Sequence, residues 1–270
     1  MPKLSINEMT TYRWSFEKDV ANYLDAGISG IGVWRQKLTD YGEQEGIRLL
    51  NQSRIEVSNL LWAGGFTGSD GRNFPDSVKD ALEAIRLAHA MKANCLIIYS
   101  GGRNGHTLNH ARRLFVSALN ELLPLATELE VTLAIEAMHP GCSGEWTFLN
   151  SIQDCLLLLD SVCDQYLKIA FDTYHLGYDP LVLDQIQQLA GRIAVVHLGD
   201  SLAPPNHEQN RVRLGAGKLQ LREMVAAIED TGFTGYYDVE LFGEDIEASC
   251  YHDLINASKQ AFEELFYVAK

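Results

Sequence analysis

Four residues of metal-ligating type stand at the ends of four apolar runs. They are Glu136 after Val-Thr-Leu-Ala-Ile, Asp172 after Ile-Ala-Phe, His197 after Ile-Ala-Val-Val, and Glu240 after Gly-Tyr-Tyr-Asp-Val. Three carboxylates and one imidazole make a hard, mostly oxygen donor set. It suits a divalent ion such as Mn²⁺, Mg²⁺ or Co²⁺, accepts Zn²⁺, and leaves positions for substrate oxygens. Such an ion polarises a carbonyl beside a hydroxyl-bearing carbon. Two flanking glutamates can then carry a proton from one carbon or face to another through an enediol-like intermediate. A lone acid at a strand end is more often a helix cap or surface charge, and a lone His in an apolar strand a satisfied core residue. Four together, on four separate strands, are what packing does not account for.

Each of the four follows β-branched or aromatic residues and precedes small or polar ones, the pattern of a parallel strand covered on both faces. Strands are expected at 3–9, 31–34, 55–61, 95–99, 131–136, 168–172, 193–197 and 235–240. Helices are expected at 15–27, 40–52, 75–92, 109–129, 148–161, 181–190, 219–230 and 248–268. Eight βα units with no Pro-rich linker or composition break predict an α/β chain folded as one closed (β/α)8 barrel, a single catalytic domain over 1–270. Sites of this fold lie at the carboxyl ends of the strands. The candidate ligands fall there on the fifth to eighth strands, spaced 36, 25 and 43 residues apart, one βα unit each.

Composition narrows the partners. The chain has 270 residues and a formal net charge of −14, from 22 Lys and Arg against 36 Asp and Glu. No basic run can track a phosphate backbone, which excludes nucleic acid as a partner. No stretch of about 18 apolar residues is present and the N-terminus lacks a signal-peptide layout, so neither membrane nor export is expected. Five cysteines without a Cys-x-x-Cys pair suggest a reducing cytoplasm. Glu8, Trp34, Trp62 and His106 each come just after a strand and are candidates to face the mouth, where an aromatic ring can pack on the apolar face of a sugar. Arg103 and His106, in the Gly-rich loop 100–106, could hold a phosphate if there is one. No known Gly-rich phosphate cradle follows a strand, which favours a free sugar or polyol over a sugar phosphate.

Glu136 in Leu-Ala-Ile-Glu, Asp172 and His175 in Phe-Asp-Thr-Tyr-His, His197 in Val-Val-His-Leu-Gly-Asp, the Arg213-Leu-Gly-Ala-Gly turn, and Glu240 in Asp-Val-Glu-Leu stand in a shared order. In this the chain resembles the xylose-isomerase-like sugar isomerases and epimerases. The resemblance implies that Glu136, Asp172, His197 and Glu240 bind one divalent metal ion, with Glu136 and Glu240 also the acid-base pair. It implies too that His175 and an arginine, Arg211 or Arg213, bind substrate oxygens, and that the chain forms a homodimer or homotetramer. Two features depart from the pattern. Ala216 stands between two glycines where a charged residue is usual, and His139 is either a supporting or substrate-binding residue or a plain loop residue. The expected activity is a metal-dependent sugar isomerase or epimerase. The alternatives are an inosose-type dehydratase on the same ion site, a non-catalytic sugar-binding barrel, and a nuclease resembling endonuclease IV. The nuclease reading is disfavoured because Arg211-Val-Arg213 stands where an Asp-x-His would be needed.

Overall fold

In the computed structural model, which describes residues 2–207 and 210–266, eight parallel strands hydrogen-bond in chain order and the eighth closes on the first. They are β1 (Lys3–Asn7), β2 (Gly30–Trp34), β3 (Glu56–Gly64), β4 (Cys95–Tyr99), β5 (Thr132–Glu136), β6 (Leu167–Asp172), β7 (Ile193–Leu198) and β8 (Tyr236–Val239). Helices cover the outside, as the (β/α)8 reading requires. Among the described residues no helix is long and apolar enough to cross a membrane.

Local chemistry sets the boundaries, and several differ from those read off the sequence. The expected helix 40–52 is two helices, Arg35–Tyr41 and Glu43–Ser53, separated by Gly42 at φ 105°. Only glycine adopts that conformation without strain. The helix expected from 148 begins at Ile152, where the Ser151 side chain accepts the Asp154 N–H. The segment expected as helix 181–190 is an α turn, Val182–Ile186, followed by a 3₁₀ turn, Gln187–Leu189. The first strand stops at Asn7, which leaves Glu8 in a turn, and the third runs on through Trp62 to Gly64. The last helix is Tyr251–Phe266, and residues 267–268 of the expected span lie outside the described residues.

Two packing zones hold the barrel. Outside, the apolar faces of the helices meet the outward residues of the strands, with Phe16, Phe115 and Tyr237 among the largest fully buried rings. Inside, a smaller cluster fills the lumen with Cys95, Ile97, Ala134, Ala170, Val195 and Tyr236. This is a packed core rather than a pore. Two residues beyond Tyr236 on the same face of β8 lies Asp238, which accepts from Ser5 Oγ (2.6 Å), Asn7 Nδ2 (2.7 Å) and Asn59 Nδ2 (2.7 Å). A side chain at Gly32 would overlap this carboxylate. Glu240 comes two residues further along β8, so the lumen passes from apolar through hydrogen-bonded polar to charged.

Candidate metal centre and its cavity

Strand register converges the charged groups. His197 pairs with Asp172 on β6 and with Asp238 on β8, while Glu136 ends β5 beside Ala170. The Glu240 N–H donates to Leu198 O (3.0 Å), carrying the β8 line one residue past its end. One donor atom each from Glu136, Asp172, His197 and Glu240 thereby lies within 4.8 Å of the others, and all four residues are buried.

The arrangement fits a cation. His197 Nδ1 is 3.5 Å from Glu136 Oε1 and 3.4 Å from Glu240 Oε2, yet neither ring nitrogen has a hydrogen-bond partner. A buried orphaned imidazole nitrogen facing carboxylate oxygens fits the donor set of a divalent metal ion. Burial alone would lower the His197 pKa, but the Glu240 and Glu136 carboxylates outweigh it and push it up to about 10. The carboxylates thus hold positive charge at the position an ion would take, and an ion would displace that proton.

Arg211 ties the set together. Its Nη2 is 2.9 Å from Asp172 Oδ2, and its Nη1 is 3.2 Å from Glu240 Oε2 and donates to Glu240 O (3.0 Å). The guanidinium lies against the rings of Tyr174 and Phe242, at 4.4 and 4.6 Å. Burial pushes the Asp172 pKa up, but Arg211, with His175 and His197, prevails and holds it at about 2. Glu240 goes the other way. Burial, reinforced by Asp172 and Glu136, exceeds the pull of Arg211 and His197 and leaves it at about 7. A carboxyl poised near neutrality can both give and take a proton.

His175 reaches the cavity because Asp172 caps the short helix Thr173–Leu176, its Oδ1 accepting the N–H of Tyr174 (2.6 Å) and of His175 (3.3 Å). Burial lowers the His175 pKa to about 4 and keeps the ring neutral. Its Nδ1 is 3.5 Å from Cys142 Sγ and receives the His139 N–H at 3.5 Å. Arg211 in turn is placed by Asp200, whose carboxylate accepts the N–H groups of Ser201, Gly215, Gly217 and Leu219 and so clasps the turn that follows the arginine.

Above the donors lies a cavity at the mouth of the barrel. Glu136, His175, Arg211 and Glu240 line one side, Met9, Leu61, Trp62, Ile97 and Tyr99 the other, with Met138, Trp146 and Phe242 at the rim. Of the substrate-binding candidates, His175, Arg211 and Trp62 are lining residues. The others are not among the residues that line the cavity, although Trp34 packs on the lumen cluster beside Met9 and Trp62. Arg213 is exposed on the outer side of the turn. Glu8 is buried behind the mouth, its Oε2 accepting the Trp34 N–H (2.8 Å), and Trp34 stacks on Tyr12. His106 Nε2 is 3.3 Å from Thr67 O and its ring packs on His110, and His139 Nδ1 accepts the Gly141 N–H (3.1 Å). Met138 and Phe242 stand two residues beyond Glu136 and Glu240, and Ile97 and Tyr99 alternate on β4, so period-two spacing could have found them. Trp146 sits in an irregular loop with no periodic signal.

A family model described as xylose isomerase-like TIM barrel matches residues 20–265. The chain is 29% identical over 198 residues to D-psicose 3-epimerase of Enterocloster bolteae, covering 68% of this chain and 62% of that protein. It is 27% identical over 140 residues to L-ribulose-5-phosphate 3-epimerase UlaE of Escherichia coli O157:H7 (52% and 46% covered). It is 24% identical over 150 residues to inosose isomerase of Bacillus velezensis (54% and 52% covered). The matches thus span less than two thirds of these relatives' own length. Among solved structures, a protein of Sinorhizobium meliloti 1021 superposes with a TM-score of 0.90 at 27% identity over 97% of this chain and 98% of that one. The IOLI protein, described with a binding zinc atom, superposes with a TM-score of 0.85 at 18% identity over 99% and 100%. That second likeness is one of fold.

Proposed function

The chain belongs to the family of xylose isomerase-like TIM barrels, and on that premise we propose that it is a divalent-metal-dependent isomerase or epimerase moving a proton beside the carbonyl of a keto sugar or related polyol. The observation that carries this reading is the convergence of Glu136, Asp172, His197 and Glu240 donor atoms within 4.8 Å in a buried site. Epimerase and isomerase relatives support it at the level of reaction class.

The four residues would hold one divalent ion, Mn²⁺, Mg²⁺, Co²⁺ or Zn²⁺, which when bound supplies polarisation of the substrate carbonyl. The remaining work falls to the chain. Glu136 and Glu240 are the proton carriers, one abstracting from the carbon beside the carbonyl and the other returning a proton. Arg211, held by Asp172 and Glu240, offers its guanidinium to substrate oxygens. Neutral His175 contributes a ring nitrogen as hydrogen-bond partner, and the apolar wall opposite excludes water. The five free cysteines support the cytoplasm as its compartment.

Solvent deuterium exchange is the test. Incubated with Mn²⁺ and a panel of ketoses, hydroxypyruvate and inososes in D₂O, the protein is expected to place deuterium on the carbon next to the carbonyl of at least one. Exchange with none of them would sink proton-transfer chemistry. A dehydratase gains support from the same Glu240 carboxyl, which could protonate a leaving hydroxyl. It predicts loss of water from an inosose with growth of enone absorbance rather than recovery of an epimer.

A further inference from the structure

The cavity is built in two unlike halves. On the β5–β8 side stand three carboxylates, His197 and Arg211, and on the β1–β4 side stand Met9, Leu61, Trp62, Ile97 and Tyr99. We infer that the substrate carries no phosphate or carboxylate, and that its end remote from the carboxylates is poor in hydroxyls, as in a terminally deoxygenated ketose. This rests on the reading proposed above and narrows it to a substrate class.

Charge carries the first half of the inference. Glu136, Asp172 and Glu240 bring three negative charges, a divalent ion brings two positive and Arg211 one, so the occupied centre is neutral. A phosphate adds up to two charges that must find their own cations. Among the described residues Arg211 is the one cation lining the cavity, and both its Nη atoms already face Asp172 or Glu240, so that its charge is met twice over. The neighbouring cations beyond the strand ends are engaged too. Arg35 pairs with Asp80 (3.0 Å), Arg72 with Asp70 (2.7 Å) and Asp80 (3.0 Å), and Lys37 with Asp19 (2.6 Å). Arg103 donates to the His106 carbonyl. A buried anion without a partner is the costliest occupant such a site could take.

The apolar wall carries the second. Met9, Leu61 and Ile97 present carbon and sulfur to the cavity, and Trp62 is fixed by its edge contact with Trp146 (ring centroids 5.1 Å), which also touches Tyr99 (5.4 Å). A hydroxyl pressed on Leu61 or Ile97 would give up water and gain no partner, whereas a methyl gains by leaving water.

The experiment compares matched trios across the D- and L-2-ketohexoses: the free sugar, its 6-deoxy analogue and its 6-phosphate. Deuterium exchange with Mn²⁺-loaded protein gives kcat/KM, and calorimetry gives the affinity for the unreactive alditols of the same trios. Expected is a 6-deoxy sugar at or up to about tenfold above its parent and a phosphate at least about 100-fold below it, with the alditols in the same order. Ile97→Asn should shift the preference toward the hydroxylated parent. A phosphate handled as well as or better than the free sugar, or a 6-deoxy sugar about tenfold worse than its parent, would overturn the inference while leaving proton transfer intact. If nothing exchanges, the isomerase reading fails, and the alditol affinities still decide. Neutral over phosphate sustains the inference, while phosphate over neutral, or no binding at all, refutes it.

Discussion

Two buried clusters of acid and base sit at adjacent parts of the barrel, one with its cation in place and the other open to one, although each holds orphaned polar atoms, Glu8 Oε1 or the His197 ring nitrogens. Beyond β1, Asp19 holds the Lys37 ammonium, which is 2.6 Å from its Oδ2 and donates to the backbone carbonyls of Glu8 and Thr11, while the Glu8 carboxyl accepts the Trp34 N–H. Thr11 Oγ1 donates to Asp19 Oδ1 and contacts Tyr23 Oη. Burial, with Asp19 beside it, pushes the Glu8 carboxyl well above the usual range, while Asp19 has its cation in contact. At the ends of β5–β8, three carboxylates face one arginine and a histidine with no hydrogen-bond partner. That set balances only with added positive charge. Buried acids alone therefore do not mark an ion site. A surplus of donors pointed at one place does.

The sharpest way to break this comparison is to remove one carboxylate from each cluster. Glu136→Gln or Glu240→Gln is expected to cut deuterium exchange about 10³-fold, the scale of a lost acid-base group. Glu8→Gln replaces a carboxyl outside the donor set by an isosteric amide that keeps an acceptor for the Trp34 N–H, and exchange should stay within about threefold of the parent. Equal losses at Glu8 and Glu136 would erase the distinction between the clusters.

The balance beyond β1 is exposed by its cation. Lys37→Met strands Asp19 in a buried site, and removal of one partner from such a pair costs about 3–5 kcal/mol. Denaturant midpoints should fall accordingly, while the folded fraction at low temperature keeps its kcat. Loss of activity in protein shown to be folded would place Lys37 in the chemistry instead.

For the open cluster the corresponding experiment is proton release. His197 holds its proton up to about pH 10 and must lose it to ligate an ion, so the apparent ion affinity rises with pH, by about tenfold per unit between 7 and 10. Below about pH 7 Glu240 is protonated as well, and the count of protons released per ion should climb from about one toward about two. Calorimetry in buffers of different ionisation enthalpy reads this directly. The raised His197 pKa also sets a stability trend for the metal-free protein. Its contribution is complete below the ordinary histidine value near 6.5 and is lost as pH rises through about 10. A flat proton count across pH 6–9 would contradict the assignment.

The barrel is legible because most of the strands are rich in apolar residues and end abruptly. Glu136, Asp172 and His197 are the first ionisable residues after such runs, and Glu240 follows a run interrupted by Asp238. What escaped the sequence was decided by long-range contacts. Glu8 looks like Glu240, an acid just past a strand, but Asp19 and Lys37, from the two helices that follow, draw it into their own network. Trp62 reads as loop because Gly64 and Gly65 follow it, yet β4 hydrogen-bonds the chain there and extends β3 into the cavity wall. Gly42 has no sequence neighbour that marks it as a break, and only its φ of 105° separates the two helices it joins.

The arginine register is the smallest of these differences and the easiest to sharpen. Arg211 and Arg213 are two residues apart, a spacing that would put both on one face of a regular strand. The pairing is a single bridge, however, with the Val212 N–H donating to Asp200 O, and Arg213 already opens the turn closed by the Ala216 N–H on its carbonyl. Asp200 grips that turn from inside, so Arg211 is drawn under Phe242 and Arg213 is left in solvent. Arg213→Ala should accordingly change stability by no more than about 0.5 kcal/mol and leave kcat/KM within about twofold, the behaviour of an exposed position. Arg211→Lys keeps the charge but not the fork that spans Asp172 and Glu240, and it should lower kcat/KM well beyond that. The reverse ranking in a side-by-side assay would mean that the turn inverts when substrate binds.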